Sequence, residues 1–320
     1  MRAVVCRELG PPEVLSVEDA PDPIAAAGHV VVAVEAAGVN YVDALFVAGK
    51  YQIKPQPPFT PGSEIAGRVI SVGEDVMDVS VGDRVLASVG LGGFASLASV
   101  GADQLARIPD SLDAPRAATF TQSYCTALFA LRDRARIVPG ERVLVLGGGG
   151  GVGLAAIDVA RWLGAEVVAA ASSAAKRSAA LEAGAVLAVD SSPEVVKFRE
   201  VTGGVDLVID PIGGDHSTVA LRALREGGRL VVIGFASGAI PMFPANQILL
   251  RNREVIGVDW GAWALSHGSQ QAALLAELLE ATAIGALRPV APATFPLEEV
   301  AIALNALLNR RVIGKVALLP

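Results

Sequence analysis

Arg142-Val143-Leu144-Val145-Leu146-Gly147-Gly148-Gly149-Gly150-Gly151-Val152-Gly153-Leu154-Ala155-Ala156 decides the fold. A short apolar strand runs into five consecutive glycines, and an apolar helical stretch follows at once. Gly148, Gly150 and Gly153 satisfy the spacing G-x-G-x-x-G. Five glycines in a row could satisfy it by accident, but the strand before and the helix after supply the context that gives it meaning. Glycine permits the tight turn, lets the backbone approach a pyrophosphate, and packs the helix close to the strand. The helix then offers the unpaired N–H groups of its first turn to an anion. Gly151 and Val152 lie at that turn and join the candidate set.

Outward from the loop, five more apolar runs follow at regular intervals: Glu166–Ala171, Val186–Val189, Val205–Ile209, Arg229–Ile233 and Glu254–Val258. Helical stretches at 152–163, 174–183, 194–202, 215–226 and 245–251 separate them. Near-continuous apolar strands alternating with helices predict a parallel sheet covered on both faces, and six strands complete a doubly wound dinucleotide fold. The first third has another texture. Val30–Val34, Glu64–Val72 and Asp83–Ala87 are short runs between turn signals, and proline clusters at 11–12, 21–23 and 55–61 exclude long helices there. The tail carries helices at Gln270–Leu279 and Leu297–Leu308 and a last strand at Gly314–Leu319. With the six-strand count already full, the tail is expected to return to the β-rich domain. The boundaries read as 1–122 with 266–320 for that domain and 123–265 for the nucleotide domain.

Composition narrows the function. Of 320 residues 52% are hydrophobic and 18% charged, so the chain can bury two cores and is not disordered. A net charge of −7 with no basic run argues against nucleic acid as a partner. Mean hydropathy is +0.50, yet Asp158 and Arg161 interrupt the longest apolar region, so no membrane span is expected. The early charges Arg2, Arg7 and Glu8 do not fit a signal peptide, and the expected location is cytoplasmic. Cys6 and Cys125 cannot build a disulfide framework, and the three histidines lack metal-ligand spacing. No G-x-S-x-G elbow supplies a nucleophile. The chemistry is therefore expected from a cofactor.

Which cofactor depends on the end of the second strand. An NAD site places Asp or Glu there for the ribose 2′-hydroxyl. Here the strand ends in Ser172-Ser173, with Lys176 and Arg177 just beyond. A hydroxyl and cations suit a 2′-phosphate, so NADPH is preferred, with Ser172 and Lys176 as candidate ligands.

The chain resembles the medium-chain dehydrogenase/reductase superfamily, and within it the zinc-independent NADPH:quinone oxidoreductases, the zeta-crystallin-like group. The resemblance rests on Ala37-Gly-Val-Asn40-Tyr41-Val-Asp43, Gly49-Lys-Tyr51, Pro58-Phe-Thr-Pro61-Gly62-Ser63-Glu64-Ile-Ala-Gly67, Val81-Gly82-Asp83-Arg84-Val85, Gly227-Gly228-Arg229, Gly234-Phe235 and Gly314-Lys315-Val316. It implies an α/β chain made of a GroES-like β-rich catalytic domain and an inserted Rossmann domain. A homodimer formed through the strand near Val255–Val258 is also implied. Zinc-using relatives carry a Cys and a His where Val39 and Ser63 stand, so no metal is expected.

Hydride transfer to a quinone or another conjugated carbonyl compound is the implied activity. Asn40 and Tyr51 are expected to polarise the acceptor or order the nicotinamide, and Thr126, Gly234 and Phe235 to lie near that ring. Glu64 reads as structural. Trp260 and Trp263 either line the acceptor site or pack. Three features depart from the relatives. Asp190-Ser191-Ser192 stands where many have a tyrosine that holds the 2′-phosphate, and Asp190 could oppose that group. The segment Thr202–Asp206 is short, and Cys125 replaces a common glycine. Alternatives are an enoyl thioester reductase, with Lys50 and Lys54 beside Tyr51, and a non-catalytic NADPH-binding protein.

Overall fold

A computed structural model describes every residue except 193–196. The chain forms two compact units, Met1–Gln122 with Ala291–Pro320, and Ser123–Val290. The first boundary falls where the sequence places it. The second does not, since the return begins at Ala291 rather than at 266. The physical reason is the helix Gly268–Ala283, which is tied to the second unit by side chains. Gln271 accepts from Trp260 Nε1 at 2.7 Å and donates to Cys125 Sγ at 3.4 Å, and Glu277 pairs with Arg132. Arg161 donates to the Ala286 carbonyl, and Asp158 accepts from the Arg288 N–H.

The first unit is β-rich. Strands β1 (Arg2–Cys6) and β2 (Leu15–Asp19) form an antiparallel pair. The long strand β3 (His29–Val39) follows, then β4 (Glu64–Val72), β5 (Arg84–Ser88), β6 (Leu97–Gly101) and β7 (Leu105–Arg107). β3 pairs along one edge with β4, and its register shifts twice, at Val31/Val32 and Val34/Ala36. Such irregularities bend a strand and let it serve two partners. Its other edge pairs with β6 over His29–Ala33. Its end is pressed against a neighbouring backbone, because a Cβ on Gly38 would sit 2.0 Å from the Ala118 carbonyl oxygen. Only glycine fits there, and two residues later the chain delivers Asn40.

The second unit is the doubly wound sheet that the apolar runs predict. Its strands are β8 (Arg142–Leu146), β9 (Glu166–Ala171), β10 (Leu187–Asp190), β11 (Val205–Asp210), β12 (Leu224–Val232) and β13 (Glu254–Gly257). All five pairings are parallel, in the order β10-β9-β8-β11-β12-β13. The order reverses between β8 and β11, and such a switch point is where open α/β sheets bind ligands, outside the carboxyl ends of the strands. The apolar side chains of β8 and β11 are fully buried, as expected of central parallel strands. Of the helix expected over 194–202, residues 194–196 lie outside the described residues; the described helix is Phe198–Thr202, with Lys197 as its N-cap.

The chain then returns to the first sheet with β14 (Ala293–Pro296) and β15 (Val316–Leu319). β15 pairs antiparallel with the end of β3, Val316 opposite Val39, which brings Lys315 to the level of Asn40. Short helices that the proline and turn signals hid are also present, among them Tyr41–Val47, Ala114–Ala118 and Thr121–Leu128.

Candidate functional site

In the second unit the loops after β8, β9, β10, β11 and β12 all emerge at the carboxyl ends of the strands. The glycine loop leads into the helix Gly151–Trp162, whose N-cap is Gly150, with no capping side chain and no acid in its first turn. The first N–H groups of a helix have no intrahelical acceptor, so this end is left to an anion. Two of the three motif glycines have a steric reason. A Cβ on Gly153 would lie 2.2 Å from the Gly147 carbonyl oxygen, and one on Gly148 would lie 2.8 Å from the Ala169 Cβ. A Cβ on Gly150 would meet only the Gly147 oxygen, at 3.4 Å. The loop is therefore closed on the protein side and open in front of the helix, a cradle suited to a pyrophosphate.

Beyond β9 lie Ser172 and Ser173. Ser173 Oγ accepts from the Lys176 N–H at 3.3 Å and caps the helix Ala174–Glu182. The stem of Lys176 lies over the glycine loop, close enough that a Cβ on Gly149 would meet its Cβ at 2.5 Å. Arg177 donates to the Ala171 carbonyl at 3.1 Å and to Asp190 at 2.9 Å. Asp190 also accepts from the Ser192 N–H and hydroxyl. Those Ser192 bonds, with Arg177 behind them, hold the Asp190 carboxyl below its usual range. No carboxylate ends β9 itself.

At the switch point, buried Asp210 closes β11. It accepts from the Ile212 and Gly213 N–H groups at 2.9 Å and from the Ser217 hydroxyl, so its charge is spent on shaping the turn. The turn is laced to the loop after β12 through Gly234 N–H to Asp210 O, Ala236 N–H to Pro211 O and Ser237 N–H to Ile212 O. Gly234 has only the Pro211 oxygen near its absent Cβ, at 3.6 Å, and Phe235 is 41% exposed. Thr126 is buried in the helix Thr121–Leu128. Asp210 was missed in the sequence, where an acid ahead of Pro-Ile-Gly-Gly was the available signal; Arg177 was noticed beside Lys176 but not named as a ligand.

Trp263 stacks on Phe129 at 4.6 Å and on His267 at 5.2 Å, and Trp260 is buried. Cys125 is fully buried.

The first unit holds a buried polar cluster. Asn40 caps the helix Tyr41–Val47, and its own N–H donates to Asp43 Oδ2 at 2.7 Å. Its side-chain Nδ2 donates to Ser63 Oγ at 3.2 Å and Glu64 Oε2 at 2.7 Å, and its Oδ1 accepts from Lys315 Nζ. Both amide hydrogens are committed, so Asn40 has none left to donate to an acceptor. The direct donor role expected of it does not fit this geometry. Glu64 also accepts from the Gln122 N–H at 2.7 Å and stands 3.5 Å from the Lys315 ammonium, which makes it structural, as the sequence suggests. Asp43 is fully buried with Oδ1 unpartnered. Desolvation drives its pKa up to about 7, against the opposing pull of the Asn40 N–H and Lys315, while Glu64 adds to the rise. Tyr51 is half-buried and edge-on to Phe46 at 4.9 Å, with no hydrogen bond from its hydroxyl among the described residues. Among the described residues, no three His, Cys, Asp or Glu side chains gather so as to hold a metal ion.

Comparison with known proteins agrees with this geometry. Residues 26–110 match the family described as alcohol dehydrogenase GroES-like domain, and residues 151–280 match the family described as zinc-binding dehydrogenase. Quinone oxidoreductase-like protein 2 of Bos taurus is 40% identical over 322 residues, covering 99% of this chain and 92% of the relative. The quinone oxidoreductase of Homo sapiens is 34% identical, covering 100% of this chain and 98% of its own. The quinone oxidoreductase of Thermus thermophilus, solved also as its complex with NADPH, superposes with a TM-score of 0.84 at 35% identity and full coverage of both chains. With its GroES-like domain and six-stranded Rossmann sheet, the chain belongs to the quinone oxidoreductase family of the medium-chain dehydrogenase/reductase superfamily and is an oxidoreductase.

Proposed function

We propose that this protein is an NADPH-dependent reductase of quinones or other α,β-unsaturated carbonyl compounds that works without zinc. The observation that carries the reading is the carboxyl edge of β8 and β9. There an open glycine cradle stands beside Ser172, Lys176 and Arg177, with no acid at the end of β9. The Thermus relative's complex with NADPH supports it.

NADPH, when bound, supplies hydride from its nicotinamide. The N–H groups of Gly151, Val152 and Gly153 at the uncapped helix end hold the pyrophosphate, and Gly148 and Gly150 let it approach. Ser172 and Lys176 meet the 2′-phosphate. Gly234 and Phe235 lie on the loop that Asp210 braces, and with Thr126 they order the nicotinamide ring. Tyr51 is the acceptor-facing group, because its hydroxyl is not spent within the protein. Asn40 orders its surroundings through Lys315, Glu64 and Ser63 rather than donating a bond of its own. The oxygen that gains charge takes its proton from water.

Support for zinc independence comes from residue type: Val39 and Ser63 stand at the ligand positions, and Ser63 is occupied by Asn40. A homodimer through β13 fits the same reading, since that strand ends the sheet with Val255 37% exposed and Leu249 and Leu250 of the preceding segment about three-quarters exposed. No described helix is long and apolar enough to cross a membrane, and both cysteines are free, in keeping with a cytoplasmic enzyme.

The test is cofactor oxidation with ortho- and para-quinones, enones and enoyl-CoAs, using NADPH and NADH in parallel and a chelator throughout. NADPH-selective quinone or enone turnover unaffected by the chelator is the expected result. Turnover confined to enoyl-CoA would replace the substrate class, and tight NADPH binding without turnover would favour a binding protein. Sedimentation of the same sample should give twice the chain mass.

A further inference from the structure

Arg177 is held more firmly than a surface arginine beside a loop needs to be. One terminal nitrogen, Nη1, is fixed twice, by the carbonyl of Ala171 at 3.1 Å and by Asp190 Oδ2 at 2.9 Å. Ala171 and Asp190 are register partners at the ends of β9 and β10, so the guanidinium is anchored across two adjacent strands. Asp190 is itself fixed, its other oxygen accepting the N–H of Ser192 at 2.9 Å and the hydroxyl at 2.7 Å. That leaves Nη2 and Nε, which carry three N–H groups with no partner among the described residues. The side chain is 27% exposed, so the fork is accessible without being loose.

The position matters. Arg177 lies in the first turn of the helix that Ser173 caps, beside Lys176, whose stem covers Gly149 of the pyrophosphate loop. A fixed planar fork with adjacent free donors matches a phosphate bidentately, which a lysine ammonium cannot do. The nearest acid at this edge, Asp190, is not at the end of β9, where it would take a ribose hydroxyl. It is one strand away, with its charge turned to Arg177.

Resting on the NADPH reading above, we propose that Arg177 is the residue that selects a 2′-phosphorylated adenosine, and that Asp190 is its positioning residue. The carboxylate that the sequence sets against the phosphate acts in its favour, by holding the cation that meets it. The pair stands in for the tyrosine that many relatives place near Ser191.

Calorimetric titration of the purified protein with 2′,5′-ADP and with 5′-AMP tests this apart from catalysis. In the wild type 2′,5′-ADP should bind the tighter; equal binding would refute the NADPH reading itself. Arg177→Met should weaken 2′,5′-ADP about 10- to 100-fold, the loss of one charge-assisted bidentate contact, and leave 5′-AMP within about twofold. Arg177→Lys, which keeps charge without the fork, should recover only part of the loss. Asp190→Asn gives the sign. A positioning role predicts a lower ratio of 2′,5′-ADP to 5′-AMP affinity, whereas simple repulsion predicts a higher one. Selective wild type with unchanged selectivity in Arg177→Met, or a raised ratio in Asp190→Asn, overturns the proposal while leaving the NADPH reading with Ser172 and Lys176.

Discussion

Asp43→Asn isolates the least comfortable group in the first unit. The carboxyl is fully buried and one oxygen has no partner, so burial raises its pKa from 3.8 to about 7. In the unfolded chain it ionises at its ordinary value. Between those two values the folded state holds a proton that the unfolded state has released, so the stability contributed by the protonated form is complete at low pH and is lost as pH rises towards 7. Each pH unit in that window is worth about 1.4 kcal/mol, so the step from about pH 5 to about pH 8 removes about 3 kcal/mol. Asparagine can still accept the Asn40 N–H through its Oδ1, and it never ionises. The variant should therefore gain about 3 kcal/mol on the wild type between pH 5 and pH 8, whatever offset the substitution itself brings. Urea unfolding followed by far-ultraviolet circular dichroism reads this, because Trp162, Trp260 and Trp263 all lie in the other unit and fluorescence would report on that unit instead. Taking the difference between the two proteins at each pH cancels every other titrating group. A difference that stays flat with pH would refute the argument that Asp43 carries its proton in the fold.

Gly153→Ala would place a methyl 2.2 Å from the Gly147 carbonyl oxygen, both of them backbone-anchored, and should cost about 3 kcal/mol or more of stability in the second unit and abolish cofactor binding; near-normal melting would contradict the close packing of helix and loop. Ser172→Asp should weaken NADPH and shift preference towards NADH, read as the ratio of kcat/KM for the two cofactors. An unchanged ratio would remove Ser172 from the 2′-phosphate site. Tyr51→Phe should lower kcat with cofactor affinity intact, since only the hydroxyl is lost and the contact with Phe46 is kept; unaltered turnover would leave Tyr51 as packing.

What could be read in advance follows from how far apart the deciding residues lie. The β8–glycine–helix unit is contiguous, so strand, turn and helix signals reinforce one another within Arg142–Ala156, and the alternation of apolar runs and helices carries the sheet with them. The parallel order β10-β9-β8-β11-β12-β13 then follows from the doubly wound pattern. The second domain boundary was misplaced because counting strands says nothing about where a helix docks. Helix Gly268–Ala283 looks the same in sequence whether its partners are in one unit or the other, and the bonds of Gln271 to Cys125, Glu277 to Arg132 and Arg288 to Asp158 each span more than a hundred residues. Short helices such as Tyr41–Val47 escaped because seven residues hold too few turns to show a period.

The same distance separates the parts of the buried cluster, and it changes what Asn40 can be. Read locally, an asparagine in an apolar segment beside a tyrosine and an aspartate is a donor in search of an acceptor. Its partners Ser63, Glu64 and Lys315 stand 23, 24 and 275 positions away, and each takes one of its hydrogen-bonding sites. A buried amide with every donor satisfied is rigid, and removing any partner would leave a polar atom stranded, which costs more than the bond itself returns. Among the described residues Lys315 is the only cation in the cluster, facing Glu64 and Asp43 across Asn40. Burial raises the pKa of Asp43, Glu64 adds to the rise, and the Asn40 N–H and the Lys315 ammonium pull against it without cancelling it. The cation that opposes this rise stands just before β15, where no reading of the Asn40 segment could place it.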